Sequence, residues 1–349
     1  VIVNSAFELA DERDHLYDAL TDFTPNGRRE HYASWLESQG HAARAGTVRA
    51  TIAAYNELDC SFLSNPAGTE HWQRVIAIPL LMRLIDEGQQ FTERELIDLR
   101  NLVFPRIRPC LTLSYEPAKS TPDVGASYLW GHPDLLENQE WPKIAECSDW
   151  FSAKDQLPQD QHCAFLGQFR FSDLSETLLG RELPSSGGFS IFAITETDSL
   201  GIQETVVRPW SPEQQLVRFE PPEDLITDRL GDSCNSPKRP HTITLTEAIS
   251  IPDAASPTFG ALIPECKWSE KFGDLYSSMM AECNEDTLGI GGYLRGTSGD
   301  DPSPDTNHMR FVVLRVTPEA GIVHFAIPNE DIEKGCLNRV QYVWSDWDS

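Results

Sequence analysis

A few segments of this chain have residue types that could do chemistry. Gly289-Ile290-Gly291-Gly292 could aim backbone N–H groups at an anion. It lacks the Lys-Ser/Thr ending of a phosphate loop and the spacing of a dinucleotide fingerprint, so it reads as a turn or bulge. Asp300, Asp301, Asp305 and His308 fall close together, and oxygen ligands so spaced could hold calcium. The pattern is not that of an EF-hand and it sits in a Pro- and Ser-bearing stretch, so a solvated acidic loop is the better reading. His162 adjoins Cys163, but neighbours on a strand point to opposite faces, which suits a base and its nucleophile poorly. No G-x-S-x-G elbow and no H-E-x-x-H pair occurs. His324, between Val323 and Phe325, reads as a structural histidine before a catalytic one. The residues therefore predict no catalytic set, no cofactor and no metal site.

The elements that would position these residues divide into two kinds. Residues 1–105 read as helical. Leu9, Leu16, Leu20 and Phe23 share one helix face, and Pro25-Asn26-Gly27 breaks it. Tyr32, Trp35 and Leu36 make a second stripe, and Ala45, Val48, Ile52 and Tyr55 a third. A fourth helix over Trp72 to Leu84 should kink at Pro79. The fifth has a capping box, Thr92 with Glu95, and a staple from Phe91 to Leu96. Beyond this point all seven lysines appear and β-type runs follow: Leu111–Tyr115, Ala164–Phe171, Phe189–Thr195, Thr242–Leu245, Met309–Val316, Ile322–Ile327 and Val340–Trp344. One helix is expected over Trp268–Cys283, and long surface loops over Gly231–Pro240 and Gly296–Asn307. Without regular strand–helix alternation, the expected class is α+β: a helical domain over 1–105, then a larger, mostly antiparallel β-rich domain over 106–349. Gly188, Phe192, Ala193 and Ile194 recur at the same spacing as Gly321, Phe325, Ala326 and Ile327, which points to an internal duplication.

Composition narrows the function classes. The 349 residues carry 54 Asp+Glu against 28 Lys+Arg, a formal net charge of −26. Nucleic acids and anionic membranes need clustered Lys and Arg, so both are excluded as broad partners. The first 105 residues hold 16 acids and 9 bases, so the excess runs through both parts and forms no acidic tail. No apolar run approaches the ~18 residues of a membrane span, and no signal-peptide core is visible. Eight cysteines are widely spread with no CxxC among them, which fits reduced thiols in the cytoplasm.

Several motifs in order resemble the YwqG-like family, a domain of unknown function. Val124 to Leu135 followed by Glu140-Trp141-Pro142 is similar to its opening turn, with Trp130 standing where the family has its first Gly. Phe165-Leu166-Gly167-Gln168 with Ser172-Asp173-Leu174, then Leu183 to Gly187, Gly289 to Tyr293, and the strand pair Phe311–Val316 and Gly321–Ile327 resemble later elements. The resemblance covers about Arg106 to Trp344. Leu136 and Pro318-Glu319-Ala320 depart from the pattern, which implies an altered family pocket. Separately, Tyr32 to Gly40 with Ala43-Arg44-Ala45 resembles the short helical repeat-companion domain of bacterial proteins, with Ser34 where that family has Asp.

Two functions are expected. The first is a cytoplasmic binding or protein-interaction protein with no enzymatic activity, in one version immunity-like, since proteins similar to YwqG are linked to bacterial toxin systems. An acidic protein can steer towards a basic nuclease. The tryptophans of the second domain, Trp130, Trp141, Trp150, Trp210, Trp268, Trp344 and Trp347, could line a groove or an interface, although most tryptophans are core. The second is an enzyme or small-ligand receptor with a cleft between the duplicated units. Its candidate binding residues are Trp141, Gln168, Arg295 and His324. The sequence sets neither the partner nor the oligomeric state.

Overall fold

The computed structural model describes residues 1–9, 11–146, 158–195, 202–222, 239–252, 270–283, 289–293, 308–315, 322–333 and 341–345. Arg295, the acidic residues at 300, 301 and 305, Trp150, Trp268 and Trp347 lie outside the described residues, as do most of the two expected loops.

The chain opens on a strand, β1 (Ile2–Asn4), which the helical reading of residues 1–105 does not anticipate. Three residues carry little strand signal. Its hydrogen bonds come from a parallel partner far along the chain, with Ile2 beside Thr244 and Asn4 beside Thr246. The helices follow: α1 (Glu12–Ala19), α2 (Arg28–Ser38), α3 (Ala42–Glu57), α4 (Glu70–Val75), α5 (Ile78–Asp86) and α6 (Glu93–Val103). The Thr92–Glu95 capping box forms in both directions at the start of α6. Phe91 beside it sets its ring edge-on to Phe272, centroids 6.5 Å apart. The expected kink at Pro79 is instead a break at Ala77, which takes φ 67°. Pro79 then falls in the first turn of α5, where its missing N–H leaves no helical bond unmade.

The helices close around a buried cation. The Arg29 guanidinium donates to Ala19 O (3.2 Å), Leu20 O (2.9 Å), Ile76 O (2.8 Å) and Thr51 Oγ1 (3.0 Å). It thereby satisfies carbonyls at two helix ends that burial would otherwise leave unpaired. Burial pushes Arg29 down to about 9. Nearby, Glu12 is fully buried and accepts from Arg44, from Tyr32 Oη and from the backbone N–H of Glu8 and Leu9.

The rest of the chain builds the sheet. Its strands are β2 (Arg108–Pro117), β3 (Tyr128–Leu129), β4 (Asp134–Leu136), β5 (Ala164–Arg170), β6 (Gly188–Thr195), β7 (Ile202–Trp210) and β8 (Leu216–Arg218). After a short helix α7 (Phe171–Leu174) between β5 and β6, the later elements are β9 (His241–Ser250), α8 (Glu270–Cys283), β10 (Gly289–Gly291), β11 (His308–Arg315), β12 (Ile322–Pro328), α9 (Asn329–Glu333) and β13 (Gln341–Ser345). The molecule is thus an α+β protein, with N-terminal helices preceding a curled antiparallel sheet. All seven β-type runs expected from the sequence overlap strands, with Phe171 instead opening α7 and Val316 and Val340 lying outside the described residues. The glycines at 289–291, read as a turn, also pair as a strand between β2 and β11.

The order across the large sheet is β13-β12-β11-β10-β2-β9-β3-β5-β6-β7. It mirrors about the β2–β9 pair, with one short strand on either side and a three-stranded meander at each end. The recurring segments occupy matching places, β6 in one meander and β12 in the other. Phe192 pairs with Phe165 in the first, and Phe325 with Phe311 in the second.

One hydrophobic core joins the helices to the sheet. Leu36, Trp72, Leu81 and Phe104 pack in it with Ile249, Ile251, Phe272 and Tyr276. A second core fills the inside of the curl, where Ile327 and Ile332 meet Leu166, Phe169 and Phe189. A third, with Tyr128, Trp141, Phe165 and Phe192, lies on the outer face beneath the β4–β8 ribbon. No helix among the described residues is long and apolar enough to cross a membrane.

Candidate functional site

Of the four candidate binding residues, Trp141, Gln168 and His324 fall among the described residues and lie in different parts of the sheet domain. Trp141 is buried, with its indole N–H donated to Cys163 O at 2.7 Å and its ring edge-on to Phe192. Gln168 is buried in the middle of β5. His324 lies in β12 opposite Val343, and five strands separate β12 from β5 along the sheet. Ile327, at the end of β12, belongs to the same buried cluster as Phe169 and Phe189.

Gln168 does organise a site, with partners that the sequence did not single out. Asp134, fully buried at the start of β4, has Oδ1 accepting from Arg218 Nε at 2.8 Å. Its Oδ2 accepts from Gly125 N (2.8 Å), Gln168 Nε2 (2.8 Å), Arg218 Nη2 (3.1 Å) and Tyr128 Oη (3.4 Å). Gln168 Oε1 accepts from Asp134 N at 2.9 Å, and its amide also donates to Ala126 O at 2.7 Å. Arg218 donates further to Pro122 O at 2.9 Å. Burial, then the Asp134 charge, pushes the Tyr128 phenol well above its ordinary range. A second carboxylate stands beside this network. Asp173 accepts from Ser127 Oγ (2.7 Å) and Ser127 N (3.2 Å) and pairs with Arg170 at 2.6 Å.

Asp134, Gln168, Arg218 and Asp173 each bond backbone between residues 122 and 134. The network pins that segment into a corner whose tip is Trp130 and Gly131, both left-handed at φ 53° and 83°. Gly131 suits this conformation, because a Cβ at its left-handed φ would be strained and would press on the Pro240 backbone at 3.1 Å. Trp130 does not, and a large side chain in this region costs about 1 kcal/mol or more. The strain is held so that an indole occupies the corner. The ring is only 5% exposed and sits edge-on to both Tyr115 and His241, each centroid 4.7 Å away. Tyr115 is 38% exposed, so it carries this aromatic trio to the surface. Burial lowers the His241 imidazole below its usual range.

Charges of both signs ring the corner. His132 Nδ1 lies 3.2 Å from the exposed carboxylate of Glu220, while exposed Lys119 and Arg239 flank the β2 and β9 ends. Such a corner offers contact area and orientation to a partner. The buried Asp134 carboxylate accepts only from donors within the chain.

A different carboxyl is perturbed. Glu247, buried on β9, faces the seam between the helices and the sheet. It accepts from Ala6 N, from Leu178 N at 2.6 Å and from Ser5 Oγ at 3.4 Å. Burial, with repulsion from Glu12 among the lesser causes, outweighs these donors and pushes it up to about 7. Through Ala6 and Ser5 it ties the N-terminal segment to the sheet. Among the described residues, no three His, Cys, Asp or Glu side chains converge as metal ligands would.

The sequence held one signal for the corner, the Trp at 130 where the YwqG-like pattern has glycine. Arg218 gave none, since it reaches Asp134 across 84 positions. A family model described as a domain of unknown function (DUF1963) matches residues 127–345, which contain Tyr128, Asp134, Gln168, Asp173 and Arg218 of this network, and is consistent with the YwqG-like resemblance. No curated protein matches the chain.

Proposed function

The chain belongs to the DUF1963 family, and from that premise we propose that it is a cytoplasmic binding protein, without a reaction of its own, that engages a basic protein partner at the Trp130 corner. The observation that carries this reading is the strained Trp130, held by a saturated polar network beneath a half-exposed Tyr115. Rigid aromatics on a pinned corner provide contact area at low entropic cost. The sign of the partner follows from the net charge of −26, since rim charges at the corner itself are mixed. An immunity-like role, in which an acidic protein neutralises a basic toxin, is the most specific form of the proposal.

Two architectural readings go with it. The mirrored strand order and the matched Phe165–Phe192 and Phe311–Phe325 pairs support descent of the sheet by duplication. The core around Trp72 and Phe104 supports residues 1–105 as a companion helical unit, built against the 106–349 domain through Ile249 and Phe272.

The test is capture with the tagged full-length chain from native cytoplasm at low salt. A stoichiometric basic protein is expected, lost as salt rises and recovered poorly by Tyr115→Ala. Recovery of no stoichiometric protein overturns the proposal.

A further inference from the structure

Residues 1–9 cross from the sheet to the first helix, and their grip on both is mostly polar. The strand β1 lies along Thr244–Thr246 of β9, and Asn4 Nδ2 donates to Thr246 Oγ1 at 2.9 Å. Past β1, two buried carboxylates take the backbone N–H groups. Glu247 accepts from Ala6 N and Ser5 Oγ on one oxygen and from Leu178 N on the other. Glu12 accepts from Glu8 N at 3.0 Å and from Leu9 N at 3.3 Å. Only Ala6 of residues 1–9 is buried, so little apolar surface holds the segment down.

The two carboxylates differ in their charge balance. Arg44 of α3 pairs with Glu12 and lies 3.6 Å from Glu8, and Tyr32 of α2 donates to Glu12 as well. Among the described residues no cation pairs with Glu247. Arg181, in the turn that begins at Leu178, is paired with Asp18. On the other helices packed against β9, Arg74 of α4 is paired with Glu70, Glu282 of α8 with Arg83, and Lys271 and Asp274 of α8 are exposed. On β2 the residue opposite Glu247 is Leu111. Glu12 is therefore the charged group that acts on Glu247, and it repels a second negative charge. The Ser5 hydroxyl suits either state of the Glu247 carboxyl, since it can donate to the ionised form or accept from the protonated one.

We infer that residues 1–9 form a strap that stays closed while Glu247 holds a proton and opens locally when the proton leaves. Opening returns the charge to water and bares the β9 backbone from Thr244 to Thr246. Burial raises this carboxyl from 4.5 to about 7, so the closed strap binds the proton more tightly than the open one. Closure is then firmest below about pH 4.5, weakens as pH rises from there, and levels off above about pH 7.

The experiment is hydrogen–deuterium exchange of the full chain, read on the amides of residues 2–9 and corrected for the intrinsic effect of pH on exchange. Their protection is expected to fall at least about tenfold between about pH 5 and pH 8, and to stay below that of the α2 amides throughout. Glu247→Gln keeps the shape of the side chain and has no proton to lose, so its strap should exchange without this pH response. Strap amides that exchange no faster than those of α2, or whose protection is constant over that range, overturn the inference. So does a Glu247→Gln chain that keeps the wild-type response. If Glu247→Gln fails to fold, the wild-type curve decides. Levelling above about pH 7 supports the strap, and a fall that continues unbent to about pH 9 assigns the response to another group and overturns it.

Discussion

Asp134 and Gln168 hold each other reciprocally: Gln168 Oε1 accepts from the Asp134 backbone N–H at 2.9 Å, and the Gln168 amide donates to Asp134 Oδ2 at 2.8 Å. This closed pair ties the β4 ribbon to the middle of β5, and through Ala126 and Gly125 it fixes the segment leading to Trp130. Replacing Gln168 by Ala leaves a buried N–H, a buried carbonyl and part of a carboxylate without partners. We expect Gln168→Ala to lower unfolding free energy by roughly 2–4 kcal/mol, read from urea melts. A change under about 0.5 kcal/mol, within the range of neutral surface substitutions, would mean the pair does not hold the corner.

The strain at Trp130 predicts an order among variants. Trp130→Ala loses the ring and keeps the left-handed backbone, whereas Trp130→Gly loses the ring and relieves it. Trp130→Gly should therefore be the more stable of the two by about 1 kcal/mol. Equal denaturation midpoints would show that the backbone at 130 is unstrained.

Glu247 gives the stability a pH dependence of definite sign. Its folded-state value is raised from 4.5 to about 7, so the folded chain holds this proton more tightly than the unfolded chain. The contribution is complete below about 4.5 and lost as pH rises through about 7. Glu247→Gln should remove a fall of up to about 3 kcal/mol between those limits, measured as the difference between wild-type and variant stability curves. Parallel curves from pH 4 to pH 8 would contradict the burial assigned to this carboxyl.

The Glu12–Arg44 pair inside the helices should behave non-additively. Removing Arg44 alone leaves a buried carboxylate uncompensated, and Arg44→Leu should cost about 3–5 kcal/mol. The double variant Glu12→Leu, Arg44→Leu should cost less than Arg44→Leu by itself. Thermal unfolding of the three chains decides this, and simple additivity would contradict a coupled pair.

Much of the fold was legible because its signals are local. Thr92 and Glu95 lie within one turn, and runs such as Phe165 to Phe171 carry the residues a strand needs. What escaped depends on partners far away. The strand β1 exists through β9, some 242 positions on. The strand β7 contains Glu204, Arg208 and Pro209, an edge composition that weakens the strand signal, and β10 is mostly glycine. Of the candidate site, Gln168 is visible by its motif, and its side chain bridges Asp134 and Ala126. Asp134 with Arg218, and Tyr115 with Trp130 and His241, are assembled by the sheet from separate strands, so no spacing along the chain announces them.

The central claim is that the Trp130 corner contacts a basic partner, and titration of the captured partner against the wild-type and Tyr115→Ala chains tests it most directly. Affinity should fall at least about tenfold in the variant and fall for both chains as salt screens the acidic surface. An affinity unchanged by Tyr115→Ala and by salt would contradict the account.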